Sequence, residues 1–468
     1  MLKKGSILNL EIDSLTYGGK GISKHQGIVI FTNNVLPGQK IEAKIIKKKK
    51  KFLEAIPINI IKDSKHKTKP NCNHFNDCGG CKSQNLIYEE QLKQKYKQVI
   101  DSLKFLAKIE NPYVKEMIGC KNIFEYRNKM EFSFSNQRWL INSEKDKLNE
   151  KPKDFALGLH PPKRFDKIVD IDNCDLQSKI ANEILIIIKD MVLSFDLIPY
   201  DIINHKGFLR NVVVKHTKFA NQIMINIVTA YQDEKSLKPI INELKKISPN
   251  IVSIINTIND KKSDSFIGEK QNLLFGKDII IENLSDLQFQ ISADSFFQPN
   301  SEQALKMYNH IKSESNIKSH ETIYDFYCGT GTISIFLSKE AKKVIGFEIV
   351  EAAIKDAYEN AKINNVGNCE FYCGDLSKMT KTFEKVIKKN PCDVLVLDPP
   401  RAGLNPKTTK EIIKINPPKI IYASCNPTTQ ARDVREFIKN SYIITCVQPI
   451  DMFPHTHHIE CVITLVKK

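Results

Sequence analysis

The stretch Ile323-Tyr324-Asp325-Phe326-Tyr327-Cys328-Gly329-Thr330-Gly331-Thr332 decides the fold of the catalytic part of this chain. An apolar run enters a Gly-x-Gly turn and passes directly into a helix-compatible segment. Glycines let backbone approach a ligand closely, and the helix N-terminus beyond them offers free N–H groups. A dinucleotide fingerprint would carry a third glycine where Ser334 stands, which argues against a nicotinamide cofactor. Around this turn, short apolar runs recur at 322–326, 343–347, 369–372, 394–397 and 420–423. Helix-patterned stretches at 332–342, 351–363 and 407–415 separate them. Such alternation predicts an open α/β sheet with ligands at the carboxyl ends of its strands. Two further strand-like runs near the C-terminus, 442–449 and 459–466, suit an antiparallel hairpin on its edge.

Acids fall at the ends of the second and third runs. Glu348 follows Gly329 by nineteen residues, placed to accept hydrogen bonds from ribose hydroxyls, and Asp375 ends the third run. Loop and acids together look like the S-adenosylmethionine site of Rossmann-like methyltransferases. The fourth run ends in Asp398-Pro399-Pro400-Arg401, with Arg401 where enzymes that methylate exocyclic amines tend to carry a base-stacking aromatic. The fifth ends in Ser424-Cys425-Asn426-Pro427, which puts a thiol at the carboxyl edge. One kind of methylation requires a thiol there. C5 of a pyrimidine is too poor a nucleophile to attack a sulfonium methyl unaided. Thiolate addition at C6 creates a C5 enolate that can do so. A general base must then remove the C5 proton before cysteine leaves, and Glu460 is the candidate.

With these residues in place, the chain resembles the RNA uracil-5-methyltransferase family. The matching motifs are 295–300 (SFFQPN), 325–331, 398–401, 424–427 and 453–460 (FPHTHHIE). The resemblance implies Cys425 as nucleophile and Glu460 as base. It further implies Gln298, Tyr327, Glu348 and Asp398 as donor-binding residues, and places Phe296 near a flipped uracil. The trio His455, His457 and His458 follows the motif rather than a metal-ligand pattern.

The rest of the chain points to RNA. Its 468 residues carry a formal net charge of +16, and residues 1–70 hold 15 lysines and no arginine against five acids, a local net of +10. That block suits a polyanion, with nucleic acid ahead of a membrane surface. Runs at 6–12, 27–31, 40–46 and 52–61, separated by Gly turns, suggest a small closed barrel, with five lysines at 47–51 facing a phosphate backbone. This segment resembles a TRAM domain. Cys72, Cys78 and Cys81 form a C-x5-C-G-G-C cluster, one ligand short of a closed site, whose spacing alone leaves iron–sulfur and zinc open. The family resemblance matches these three to ligands of a [4Fe–4S] cluster and supplies Cys174 as the fourth. No run approaches the length of a transmembrane helix and no secretory pattern is visible, so reduced thiols and a cytoplasmic location are expected.

The expected architecture is α/β. An N-terminal OB-like β-barrel (TRAM, 1–60) precedes a central α+β domain carrying the iron–sulfur cluster (61–290), with a polar loop at 143–154. A Rossmann-like methyltransferase domain (291–468) closes the chain. A TRAM barrel together with cluster cysteines favours the branch acting on 23S rRNA, with tRNA as the alternative. Radical methylthiotransferases also join TRAM to iron–sulfur, but with a C-x3-C-x2-C pattern and TRAM at the C-terminal end. A monomer acting on RNA without an obligate protein partner is expected.

Overall fold

The computed structural model describes residues 2–141, 152–262, 267–378 and 380–468; most of the expected 143–154 loop therefore lies outside the described residues. The chain forms two compact units. The first comprises Met1–Asn71, Cys81–Lys121 and Val396–Lys468, and the second Cys72–Gly80 and Asn122–Leu395.

The first unit opens with a six-stranded sheet of β1 (Ile7–Glu11), β2 (Ser14–Leu15), β3 (Gly21–His25), β4 (Ile28–Thr32), β5 (Lys40–Lys48) and β6 (Phe52–Lys62), in the order β1-β5-β6-β4-β3-β2. Alternate residues point inward, and Leu10, Ile12, Ile30, Ile41, Ala43, Ile45, Leu53 and Ala55 make its core. Gly21 is required at its place, because a Cβ there would lie 2.3 Å from Val35 Cγ2. Lys47 to Lys51 are all exposed at the β5–β6 turn. Helix α1 (Tyr88–Ser102) follows and widens into a π-turn, Leu103–Ala107, that ends at the left-handed Lys108.

In the second unit, an eight-stranded sheet is built from β7 (Lys129–Ser135), β8 (Arg138–Trp139), β9 (Ala156–Leu159), β10 (Ile168–Asp170), β11 (Leu209–His216), β12 (Ile223–Thr229), β13 (Ile251–Ile258) and β14 (Lys270–Gly276). Its order is β14-β13-β12-β11-β7-β9-β10-β8. Helices α2 (Lys179–Ser194) and α3 (Glu234–Ile247) supply Ile184, Leu185, Ile188, Leu237, Ile240 and Leu244 to its core. A hairpin of β15 (Ile279–Leu284) and β16 (Leu287–Ser292) then leads to α4 (Ser301–Ser315), where Asn300 caps the helix by accepting from Gln303 N. Three parallel strands complete this unit, β17 (Thr322–Phe326), β18 (Lys343–Glu348) and β19 (Cys369–Cys373), with β18 central. They alternate with α5 (Thr332–Ser338), α6 (Glu351–Ile363) and α7 (Lys381–Lys389).

The chain passes back into the first unit within β20 (Val394–Leu397). There α8 (Pro406–Ile415), β21 (Lys419–Ser424), α9 (Pro427–Lys439), β22 (Tyr442–Ile450) and β23 (Glu460–Lys467) follow. Strand β23 pairs antiparallel with both β21 and β22, so the expected C-terminal hairpin is present. No helix among the described residues is long and apolar enough to cross a membrane.

Candidate active site

In the second unit the Gly-x-Gly turn sits at the carboxyl end of β17. Tyr327, Gly329 and Gly331 all adopt positive φ, at 67°, 53° and 77°. For Tyr327 this is an uncommon conformation, held by its N–H and that of Cys328 donating to Phe347 O at 2.9 and 3.1 Å. Gly331 has a second constraint, since a Cβ would meet Ala357 and Phe371 at 3.0 Å. Glu348 ends β18 and accepts from Gly329 N at 3.2 Å with Oε2, and from Ile349 N and Val350 N with Oε1. One carboxylate therefore ties the loop to the next strand. Asp375 accepts from Ser377 N at 2.8 Å, and the hydrogen bonds from Ser377 hold its carboxyl below the usual range.

The 295–300 segment is braced within the same unit. Lys215 is buried and donates to Ser292 O at 2.6 Å and Ser295 O at 3.0 Å. Asn128 binds Gln298 O through Nδ2 and Pro299 O through its N–H, both at 2.9 Å. Phe297 and Gln298 are buried, whereas Phe296 stands 67% exposed. A large ring left open on an otherwise braced loop is suited to stack on a ligand.

In the first unit, Cys425 directly follows β21 and precedes the α9 cap, Asn426. Asn426 caps that helix by accepting from Thr428 N, and Ser424 Oγ bridges Asn426 N and Asn426 O. The Cys425 thiol is pushed up to about 11, first by burial and then by the Glu460 charge, with Arg401 pulling the other way. Glu460, at the start of β23, is 2% exposed. Burial and the Asp398 charge both push its carboxyl well above the ordinary carboxylate range, against the pull of Arg401. Burial likewise raises Asp398. Glu460 is buried and Asp398 half-buried; two carboxyls that feel one another there cannot both ionise cheaply, so the pair retains a proton to higher pH than either would alone. Arg401 Nη2 lies 3.1 Å from His458 Nε2. The His457 and His458 rings are 4.1 Å apart, and the edge of Tyr17 meets His457 at 5.7 Å.

The segment before Glu460 is clamped by α1. Lys95 Nζ donates to Asp451 Oδ1 at 2.7 Å and Phe453 O at 3.0 Å, and Tyr88 Oη donates to Asp451 Oδ2 at 2.9 Å. Gln91 Oε1 accepts from His455 N at 3.0 Å, while Gln91 Nε2 lies 3.2 Å from His455 Nδ1. Burial holds His455 down at about 4, so its ring is neutral at pH 7. The Lys95 and Asp451 side chains are 4% and 0% exposed. Breaking a buried pair strands one charge, so Lys95→Met should destabilise the protein by about 3–5 kcal/mol. A urea midpoint equal to wild type would contradict this.

The cysteine cluster divides between the units. Cys72, Cys78 and Cys174 lie in the second, and the chain enters the first with Cys81. All four are half-buried. Burial pushes Cys72 and Cys174 up to about 11, with Cys174 adding to the first and Cys78 to the second. Gly79 allows close approach there, since a Cβ would lie 2.6 Å from His160 O. Cys81 Sγ accepts from Gln84 Nε2 at 3.2 Å.

Of the site residues expected from sequence, Gln298, Tyr327, Glu348, Asp375 and Phe296 thus belong to the second unit. Asp398, Cys425 and Glu460 are brought together in the first. In sequence Arg401 stands only where an aromatic is missing, whereas in the structure its charge opposes the upward shifts of Glu460 and Cys425. Its position directly after Asp-Pro-Pro was the available signal.

A family model described as tRNA (Uracil-5-)-methyltransferase matches residues 217–468, and the TRAM domain model matches 2–58. The chain is 38% identical over 464 residues to an uncharacterized RNA methyltransferase of Chlorobaculum tepidum, covering 98% of this chain and 96% of that one. It is 38% identical over 471 residues to another of Caldanaerobacter subterraneus, covering both chains in full. Among solved structures, the Pyrococcus abyssi tRNA (uracil-54, C5)-methyltransferase in complex with S-adenosyl-L-homocysteine matches with a TM-score of 0.74 and 29% identity, over 98% of this chain and 100% of that one. Fold and site define an S-adenosylmethionine-dependent RNA methyltransferase with an N-terminal TRAM domain. The chain belongs to the RNA uracil-5-methyltransferase family.

Proposed function

We propose that the protein methylates C5 of uridine in 23S rRNA, with Cys425 as nucleophile and Glu460 as the base. The observation that carries this reading is the grouping of a strand-end thiol, a carboxyl pair and one guanidinium: Cys425, Glu460, Asp398 and Arg401. The Cys425 thiol loses its proton to water, the thiolate sulfur adds to C6 of uracil, and the C5–C6 π pair moves to C5 and O4. C5 then takes the methyl group from S-adenosylmethionine, which supplies the electrophile and departs as S-adenosylhomocysteine. Glu460 removes the C5 proton, the C5–C6 double bond re-forms, and the Cys425–C6 bond breaks. Gln298, Tyr327, Glu348, Asp375 and Asp398 would hold the donor, and Phe296 would stack on the extruded base. Lys47 to Lys51 on the barrel turn would grip backbone phosphates.

Cys72, Cys78, Cys81 and Cys174 are proposed ligands of a [4Fe–4S] cluster. Their chemistry is an all-thiol set suited to iron–sulfur, and Gly79 leaves room for close backbone packing. Methyl transfer consumes no electrons, so the cluster would serve a structural or RNA-positioning role. Aerobically purified Cys78→Ser should lose the brown absorption and the iron of the wild type. Zinc bound in equal stoichiometry by a colourless wild type would refute the cluster.

The second reading, tRNA as substrate, is favoured by the end-to-end match to a tRNA-modifying enzyme. Labelled S-adenosylmethionine offered with unmodified 23S rRNA and with unmodified tRNA separates the two. Label in 5-methyluridine of rRNA alone supports the first, and label in tRNA alone overturns it.

A further inference from the structure

The barrel loop between β2 and β3 reaches the nucleophile itself. Tyr17 Oη donates to the backbone carbonyl of Cys425 at 3.2 Å. That carbonyl precedes the α9 cap, Asn426, whose own carbonyl accepts the first helical bond from Gln430 N at 3.1 Å. Cys425 O therefore falls outside the helical ladder and needs another donor. Tyr17 supplies one from a residue 408 positions away in the chain.

The loop that carries Tyr17 is fixed at its base. Thr16 N donates to Lys20 O at 2.8 Å and Gly19 N to Thr16 O at 2.9 Å. Gly18 and Gly19 hold positive φ of 98° and 84°, which keeps the turn tight. Leu15 N donates to Gln94 Oε1 of α1 at 2.8 Å, so the helix that clamps the 451–455 segment also holds this loop. On its other side the Tyr17 ring packs edge-on against His457, three residues before Glu460.

We infer that Tyr17 is a positioning residue for methyl transfer, through which the RNA-binding barrel sets the orientation of the Cys425 thiol. The inference rests on the reading of Cys425 as nucleophile. A hydrogen bond to the carbonyl of Cys425 fixes the peptide plane that aims its side chain. A small misplacement of a reacting atom is costly in rate and cheap in affinity. Burial and the neighbouring Cys425 and Glu460 charges push the Tyr17 phenol up to about 12, so it remains a donor at working pH. The barrel then has two separable roles: its lysine turn holds RNA, and its tyrosine loop aligns the thiol.

Tyr17→Phe removes the hydroxyl and keeps the ring against His457. The loss of one positioning hydrogen bond should lower kcat about three- to tenfold. KM for RNA and the melting temperature should stay at wild-type values. Replacing Lys47 to Lys51 by alanine should instead raise KM and flatten its salt dependence, with kcat retained. Placed in a Glu460→Gln background, Tyr17→Phe should slow accumulation of the protein–RNA adduct, which reads the attack of Cys425 directly. A Tyr17→Phe enzyme with unchanged kcat and adduct rate would overturn the inference, as would a kcat loss matched by a fall in melting temperature. If the Glu460→Gln parent itself made no adduct with RNA, the assignment of Cys425 would fail first.

Discussion

Cys425→Ala is expected to incorporate no measurable methyl group into RNA, a loss on the order of 10^4-fold or more. Uracil C5 has no useful nucleophilicity until C6 is saturated, so no neighbouring group can stand in for the thiolate. Asp398 and Glu460 could still meet a proton, but no enolate would exist for them to serve. The change deletes one half-buried sulfur at a helix cap that Asn426 and Ser424 hold independently. The variant should therefore melt like wild type and bind RNA with wild-type affinity, placing the loss in chemistry. Methyl incorporation by a folded Cys425→Ala at even a tenth of the wild-type rate would remove the covalent mechanism.

Glu460→Gln should have the opposite appearance, a reaction that begins and does not finish. The amide fills the same space but cannot accept the C5 proton, so the methylated adduct should persist on a denaturing gel. Turnover should fall by about 10²–10⁴-fold, the usual contribution of a positioned acid or base. The attack itself should not be slowed, because the Glu460 charge is one of the influences that raise the Cys425 thiol. Removing it makes the thiolate easier to form. In the wild type, pH dependence follows from the same pair. Glu460 is pushed above the ordinary carboxylate range, and it acts only when ionised. Adduct breakdown should accordingly rise with pH through that elevated pKa and fail in acid, at a pH where an exposed carboxylate would still be ionised. An acid limb at the ordinary carboxylate pKa would show that the burial and the Asp398 charge do not govern the base.

Much of the C-terminal fold was legible because strand and helix periods alternate cleanly there. The expected runs at 322–326 and 394–397 match β17 and β20, and 351–363 matches α6. Missed elements have local causes. Strands β2 and β3 are short and broken by Gly18, Gly19 and Gly21, so they read as turn. Helix α9 lies outside the helix-patterned stretches, although Asn426-Pro427 is a cap followed by proline at the first helical position. Apolar spacing over 89–108 suits a single helix, whereas α1 ends at Ser102, runs on as a π-turn and buries a largely polar face. Gln91, Gln94 and Lys95 point inward because their partners are His455, Leu15 and Asp451, remote in sequence. Periodicity counts apolar residues and cannot register a polar core. Tyr17 was invisible for the same reason, since nothing near it in sequence announces Cys425.

Methyl transfer at C5 with loss of the C5 proton is the step on which the mechanism turns. It is tested most directly with RNA carrying tritium at uracil C5 and S-adenosylmethionine carrying a labelled methyl group. Wild type should release one tritium to water for each methyl group incorporated, with release abolished in Cys425→Ala. Methyl groups incorporated while tritium stays in the RNA would place the reaction at another atom and contradict it.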